Sequence, residues 1–271
     1  MHASRRNLNA RRQPTSSGCG CLATTSIAVL AIIVLIGAAA MFAGPISSPF
    51  DRRPIPEDVP PAAAEPAPRV DVNAPRRPSD QLAQWAAPIA EATGIPDQAV
   101  RAYGLAEVIA AERHPHCGLA WNTLAGIGHV ETRHGTYGGD WLNRPRLDQN
   151  GVATPSIVGV PLDGSPGFAA IKDTDGGILD GDREWDRAVG PMQFIPESWN
   201  THGMDASGDG VADPNQIDDA AASAANLLCS GDRDLTTPKD WATAIRSYNQ
   251  SEEYLRKVRD AAANYALGQG A

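Results

Sequence analysis

From Leu22 to Gly44 the chain carries no charge, and from Ile27 to Phe42 it is almost purely apolar. At ~1.5 Å per residue such a run crosses a ~30 Å hydrocarbon core as a single helix. Residues 1–21 hold Arg5, Arg6, Arg11 and Arg12 and no acid, whereas the chain as a whole carries a net charge of −9. A basic tail before the run and acidic bulk after it orient the run with its N-terminus in the cytoplasm. Two readings follow. In one, 22–44 is a retained signal-anchor, 1–21 is a cytoplasmic tail, and the protein is a single-pass protein of the cell membrane. In the other, the run is a secretory signal, cleaved near Ala38-Ala39-Ala40, and the protein is secreted. The length of the run favours the anchor, because the apolar part of a signal spans about 7–15 residues. Both readings put residues 45–271 outside the cytoplasm.

Residues 45–78 contain ten of the 22 prolines, mixed with Ala, Glu and Arg. That composition predicts an extended, semi-rigid linker that holds a domain away from the bilayer. The folded domain is then 79–271. The negative net charge excludes a general nucleic-acid binder and leaves neutral sugars open as ligands. Of the four cysteines, Cys19 and Cys21 lie on the inner side of the apolar run, and only Cys117 and Cys229 can pair within the exported part. No Cys-x-x-Cys spacing suggests a metal at that pair. A disulfide between them stabilises by up to ~4–5 kcal/mol in the chain-entropy model.

Periodicity predicts a mainly helical domain. Ser79 caps a helix through Gln81, Leu82 and Trp85, which Pro88 interrupts. Pro96 opens a second, with Val100, Tyr103, Val108 and Ile109 as apolar positions, ending before Pro115. A third runs from about Leu119 to Arg133. Residues 136–185 are rich in Gly, Pro and Asp and read as a long loop-rich insertion with a short strand at 156–160. Helices return after Pro214: Asp218–Cys229, Pro238–Tyr248, and a last one capped by Ser251 with Tyr254, Leu255, Val258 and Tyr265 on its apolar side.

On the third helix Trp121, Leu124, Gly128 and Glu131 share one face. Burial and the negative end of the helix dipole both disfavour the charged form of Glu131. A carboxylic acid kept protonated near neutral pH is what protonation of a glycosidic oxygen requires. The competing reading is a surface helix end in which Glu131 pairs with Arg133 or His134. Gly126 and Gly128 cost this helix roughly 1 kcal/mol each relative to alanine, which calls for close packing or close substrate approach at those positions.

Three stretches resemble one family. Glu131-Thr132-Arg133-His134-Gly135 resembles the Glu-[Ser/Thr]-x-x-Gly signature of lytic murein transglycosylases. Ala188 to Trp199, with Met192-Gln193-Phe194-Ile195-Pro196 at its centre, resembles their Gly-x-Met-Gln-Phe-x-Pro motif, and Tyr248-Asn249 their Tyr-Asn element. The three occur in family order over about residues 100–260, and the layout looks like an actinobacterial membrane-anchored member of the membrane-bound lytic transglycosylase B branch. The resemblance implies a lysozyme-like fold and cleavage of the β-1,4 bond between N-acetylmuramic acid and N-acetylglucosamine with formation of a 1,6-anhydro ring. It implies that Glu131 is acid and then base, that Met192, Gln193 and Phe194 line the sugar subsites, and that Tyr248 and Asn249 orient Glu131 or the sugar. Met192, Phe194 and Tyr248 also read as ordinary core residues. Peptidoglycan strands, the membrane and cell-wall enzyme complexes are the partners this implies, and no cofactor is required.

Rival readings remain. Asp140 lies nine residues after Glu131, as the second carboxylate of some lysozymes does, and Asp186 is another candidate; either would suit a hydrolytic muramidase. A non-catalytic wall-binding protein could keep the same fold. Asp205, Ser207, Asp209, Val211 and Asp213 sit at calcium-loop positions 1, 3, 5, 7 and 9, with Gly210 at 6 and Gln216 where position 12 needs an acid. The choices there are a structural Ca2+ site or a solvated Asp-Gly turn. The loop Asp173–Asp182 reads as polar surface.

Overall fold

In the computed structural model of the protein, residues 52–138 and 142–271 are described. A 3₁₀ turn at Pro78–Leu82 leads into α1 (Ala83–Thr93), α2 (Asp97–Arg113) and α3 (Trp121–Thr132). Four short strands follow: β1 (Arg146–Leu147), β2 (Ala153–Thr154), β3 (Val158–Pro161) and β4 (Arg187–Val189). Helices α4 (Pro196–His202), α5 (Ile217–Leu228), α6 (Pro238–Tyr248) and α7 (Glu252–Ala266) complete the order. The described part is mainly helical, as periodicity predicts. Strands β1 and β2 pair antiparallel, as do β3 and β4, with Val158 opposite Val189 and an irregularity before Pro161.

Three local expectations are corrected. Ser79 does not cap a helix; it lies buried inside the 3₁₀ turn, and its hydroxyl makes no hydrogen bond there. Pro88 does not interrupt α1. It and Gln84 are both exposed, so the carbonyl that loses its donor faces water. Helix α4 is absent from the helices that periodicity predicts, although Pro196 at its first turn and Glu197 beside it are the usual start signals.

Helix α2 is buried from Ala99 to Ala110 except at Arg101 and forms the centre of the domain. It packs on α5, whose Ala220, Ala221 and Ala224 are fully buried and let the two axes approach. Helix α3 lies against α7. The two glycines of α3 make this possible. A Cβ on Gly126 would stand 2.6 Å from the Val258 carbonyl of α7, and one on Gly128 would stand 2.0 Å from the Tyr103 hydroxyl of α2. Close packing is therefore what offsets their poor helix propensity.

The proline-rich stretch from 53 to 78 is not a free spacer. Val59, Ala64, Ala67, Val70 and Val72 pack on the core. Ala67 N–H donates to Glu107 at 2.7 Å, Trp121 Nε1–H donates to the Glu65 carbonyl at 3.0 Å, and the Asn122 side chain bonds Ala62 and Ala64. Arg77 pairs with buried Asp218 of α5. A proline-rich backbone forms no internal ladder, so its free polar groups need such partners when it lies on a protein surface. Glu107 is held above its ordinary range by burial, against the pull of the Ala67 and Trp121 N–H bonds. It joins this strap to the first residue of α3, to whose N–H it is bonded at 3.1 Å.

Cys117 and Cys229 form the expected disulfide, joining the segment after α2 to the end of α5 across 112 residues. The anchor expected at 22–44 lies outside the described residues. Among those residues, no helix is long and apolar enough to cross a membrane.

Candidate active site

Helix α3 ends in an unusual way immediately after Glu131. Arg133, His134 and Gly135 all adopt left-handed backbone angles, with φ of 52°, 61° and 79°. For the two non-glycine residues this costs roughly 1–2 kcal/mol each. The turn is held by hydrogen bonds. His134 N–H reaches back to the Gly128 carbonyl at 2.8 Å. The Thr132 hydroxyl donates to the Pro191 carbonyl at 2.5 Å and accepts from Gly135 N–H at 2.8 Å. Thr132 thus fastens the end of α3 to the segment that carries Met192, Gln193 and Phe194.

Glu131 is partly buried, and its Oε1 accepts a 2.5 Å hydrogen bond from the Tyr254 hydroxyl of α7. Burial pushes its carboxyl from the ordinary 4.5 up to about 7, with the Tyr254 bond pulling the other way. The group is therefore a mixture of acid and carboxylate near neutral pH. Two phenols stand by it. Burial, and then the Glu131 charge, hold Tyr248 and Tyr254 well above the usual tyrosine range, so both remain donors.

Glu131 opens on a cleft of about 300 Å³ lined by Gly159, Phe168, Gln193, Phe194, Ser198, Tyr248 and Asn249 among others. Gln193 sits in a left-handed conformation (φ 50°), and its amide donates to the Gly190 carbonyl at 3.1 Å, which fixes it on the cleft wall. Phe194 stacks edge-on against Trp199 and Tyr248, with centroids 5.2 and 5.8 Å apart. Met192 does not line the cleft with its side chain, which is wholly buried; its carbonyl accepts from the Tyr248 hydroxyl at 2.7 Å. Tyr248 is thus directed to Met192, and Tyr254 holds Glu131 in its place. Asn249 is exposed at the rim and accepts from Ser251 N–H at 2.9 Å. A second cavity, of about 260 Å³, shares Glu131, Gly159 and Gln193 with the first and runs along Tyr137, Ile157, Val158 and Arg187.

Among the described residues lining these two cavities, Glu131 is the one carboxylate. Asp140 lies outside the described residues. Asp186 is fully buried and accepts from the N–H and hydroxyl of Thr174 at 2.9 and 2.7 Å, within the acidic loop rather than on the cleft wall.

The 205–213 loop is held by hydrogen bonds of its own. Among the described residues, the carboxylates of Asp205, Asp209 and Asp213 do not gather into one ligand set. Asp205 accepts from the Ser207 hydroxyl and from Gly208 and Gly210 N–H, Asp209 from Val211 N–H, and Asp213 from Asn215 N–H. Ser207 and Val211 are engaged in the same turns. Buried Asp219 of α5 draws the loop in by accepting from Ala206, Ser207 and Asp213 N–H, and burial pushes it up to about 7. Three other carboxylates, of Asp173, Asp175 and Asp186, bring ligand atoms within 4.8 Å of one another. Asp173 and Asp175 hold the loop through the N–H groups of residues 175–179.

Tyr254 is the site residue that sequence reasoning places in the core. Its signal is slight: a tyrosine six residues after Tyr248, near the start of an amphipathic helix. Residues 182–263 match the family model of a transglycosylase SLT domain. The matched residues include Met192, Gln193, Phe194, Tyr248, Asn249 and Tyr254, and they leave Glu131 outside. No curated protein and no solved structure matches the chain.

Proposed function

We propose that the protein is a lysozyme-like peptidoglycan lytic transglycosylase that breaks the β-1,4 bond between N-acetylmuramic acid and N-acetylglucosamine, with Glu131 serving as acid and then as base. One observation carries the mechanistic part of this reading. A single carboxyl, raised to about 7, lines two adjoining cavities whose described lining holds no other carboxylate. The match of 182–263 to transglycosylase SLT domains supports the substrate class.

In this mechanism protonated Glu131 gives its proton to the glycosidic oxygen as the bond to the muramic C1 breaks. The resulting carboxylate is the form that the Tyr254 hydroxyl stabilises. It then takes the proton from the muramic C6 hydroxyl, whose oxygen closes on C1. The proton returns to Glu131, and no water enters the product. Gln193 and Asn249 hold the sugars along the cleft, over the buried ring of Phe194. We further propose that the chain is anchored in the cell membrane through 22–44, with this domain outside.

The test is digestion of purified peptidoglycan by the full chain, with the products separated by mass spectrometry. Muropeptides ending in 1,6-anhydromuramic acid are expected. Ordinary reducing ends would assign the protein to hydrolysis instead, and binding without cleavage would make it a wall-binding protein.

A further inference from the structure

Behind the end of α3, four side chains form one hydrogen-bonded line. His129 Nδ1 meets the Tyr265 hydroxyl at 2.9 Å, that hydroxyl meets His134 Nε2 at 2.8 Å, and His134 Nδ1 meets the Tyr103 hydroxyl at 3.1 Å. The rings also lie against one another, with the His134 centroid 5.8 Å from Tyr103 and 5.6 Å from Tyr265. Beyond its outer end, at His129, stands exposed Arg133, whose guanidinium contacts His129 Nε2. The inner end, Tyr103, is fully buried on α2. None of these residues has a role in the proposed bond cleavage.

Hydrophobic packing does not require this line, since phenylalanines would fill the same volume. Tyr103, His134 and Tyr265 are buried and His129 half-buried, and polar groups buried together are tolerated only because each satisfies another. What they surround is the turn that the backbone resists, in which Arg133 and His134 are left-handed without being glycine. His134 is 4 % exposed and gripped at both ring nitrogens by hydroxyls from two different helices. Its ring cannot turn without breaking one of those bonds. It follows Glu131 by three residues, and Thr132 between them carries the bond to Pro191. A relaxed turn would move both the carboxyl and that tie.

We propose that His134 is a positioning residue for the Glu131 carboxyl: clamped between Tyr103 and Tyr265, it holds the left-handed turn that ends α3 and so sets where the acid stands in the cleft. The proposal rests on the reading of Glu131 as the reacting acid. The groups facing His134 are Tyr103 from α2, Tyr265 from α7, and His129 and Arg133 from its own chain segment. Those facing Glu131 are Tyr254 from α7 and Tyr248 from α6. Burial first, and then His129 and Arg133, hold His134 neutral by lowering it to about 3, so it keeps one donor and one acceptor nitrogen for its two hydroxyls.

The experiment compares wild type with His134→Phe, His134→Gln, Tyr103→Phe and Tyr265→Phe, all as the full chain. It measures kcat and KM on peptidoglycan fragments, thermal midpoint, and the Glu131 carboxyl titration by 13C NMR. In His134→Phe, kcat is expected to fall by roughly 100-fold, as for a reacting group displaced by about an ångström, with KM within about twofold. The Glu131 titration should move down from about 7 toward 4.5 as water reaches the displaced carboxyl. The two tyrosine variants should move both readouts the same way by less, and His134→Gln should recover part of the loss. Unchanged kcat and an unchanged Glu131 titration in folded His134→Phe would overturn the proposal. If that variant does not fold, the tyrosine variants decide by the same readouts. If wild type does not cleave, the reading of Glu131 fails on its own, and the titration still decides whether His134 places the carboxyl.

Discussion

The Tyr254 hydroxyl donates to Glu131 Oε1 at 2.5 Å, joining the first turn of α7 to the end of α3 across 123 residues. The bond favours the ionised carboxyl, whereas burial favours the neutral one. Removing the hydroxyl leaves burial unopposed. Tyr254→Phe should therefore raise the Glu131 pKa further and move the alkaline limb of the rate–pH profile upward. The rate itself should fall by about 10- to 100-fold, in line with a charge-assisted bond contributing about 1.5–3 kcal/mol. Rate–pH profiles of the two proteins check this, and a limb that moves downward would contradict it.

Replacing the acid separates chemistry from stability. Glu131→Gln should lower cleavage by about 10²–10⁴-fold, the usual contribution of a positioned general acid. Because the folded-state pKa of Glu131 is raised, its protonated form is the one that suits the fold. Its contribution is fully present below about 4.5 and is lost as pH rises through about 7. The neutral amide of the variant does not titrate and has no such loss. The thermal midpoint of Glu131→Gln relative to wild type should thus be more favourable at pH 8 than at pH 4. Scans at those two pH values test the sign. Asp219 is pushed up in the same direction and is common to both proteins, so it cancels in the difference.

The strap can be tested by truncation. A chain beginning at 79 loses the partners of Glu107, Trp121 and Asn122, and leaves Asp218 buried without Arg77. Breaking such a buried pair by removing one member costs about 3–5 kcal/mol. A chain beginning at 53 should keep near-normal stability, whereas one beginning at 79 should melt far lower or fail to fold. Equal thermal midpoints for the two would return 53–78 to the role of a spacer.

The disulfide offers another handle. Cys117→Ser with Cys229→Ser should lower stability by about 2–5 kcal/mol without touching the cleft. Urea unfolding measures the loss. Specific activity of the folded fraction should stay within about twofold, because neither cysteine lines the cleft.

Particular residues show how far the sequence can be read. The α2, α5, α6 and α7 helices follow from apolar spacing, and the capping of α7 by Ser251, accepting from Tyr254 N–H at 3.4 Å, is legible from residue type and position. Glu131 is legible as a candidate because it ends a largely apolar helix. Tyr254 is not, since an aromatic ring on an amphipathic face looks the same whether its hydroxyl meets solvent or a carboxylate. The 205–213 loop is legible in part. The spacing of its oxygens is visible in the sequence, whereas the acceptance by Asp219 of the Ala206, Ser207 and Asp213 N–H groups is not.

The sequence by itself determined most of the segments that become helices, that two cysteines would pair, and that one carboxyl would stand at a helix end. These depend on local spacing and on residue type. The tertiary structure alone decided that a proline-rich strap would bond to Glu107 and Asn122. It also decided that Tyr254 rather than Tyr248 would hold Glu131, and that His134 would be clamped from two helices. Each of these is a hydrogen bond between groups far apart in the chain, and its partner is fixed by how the helices pack, which no local pattern encodes.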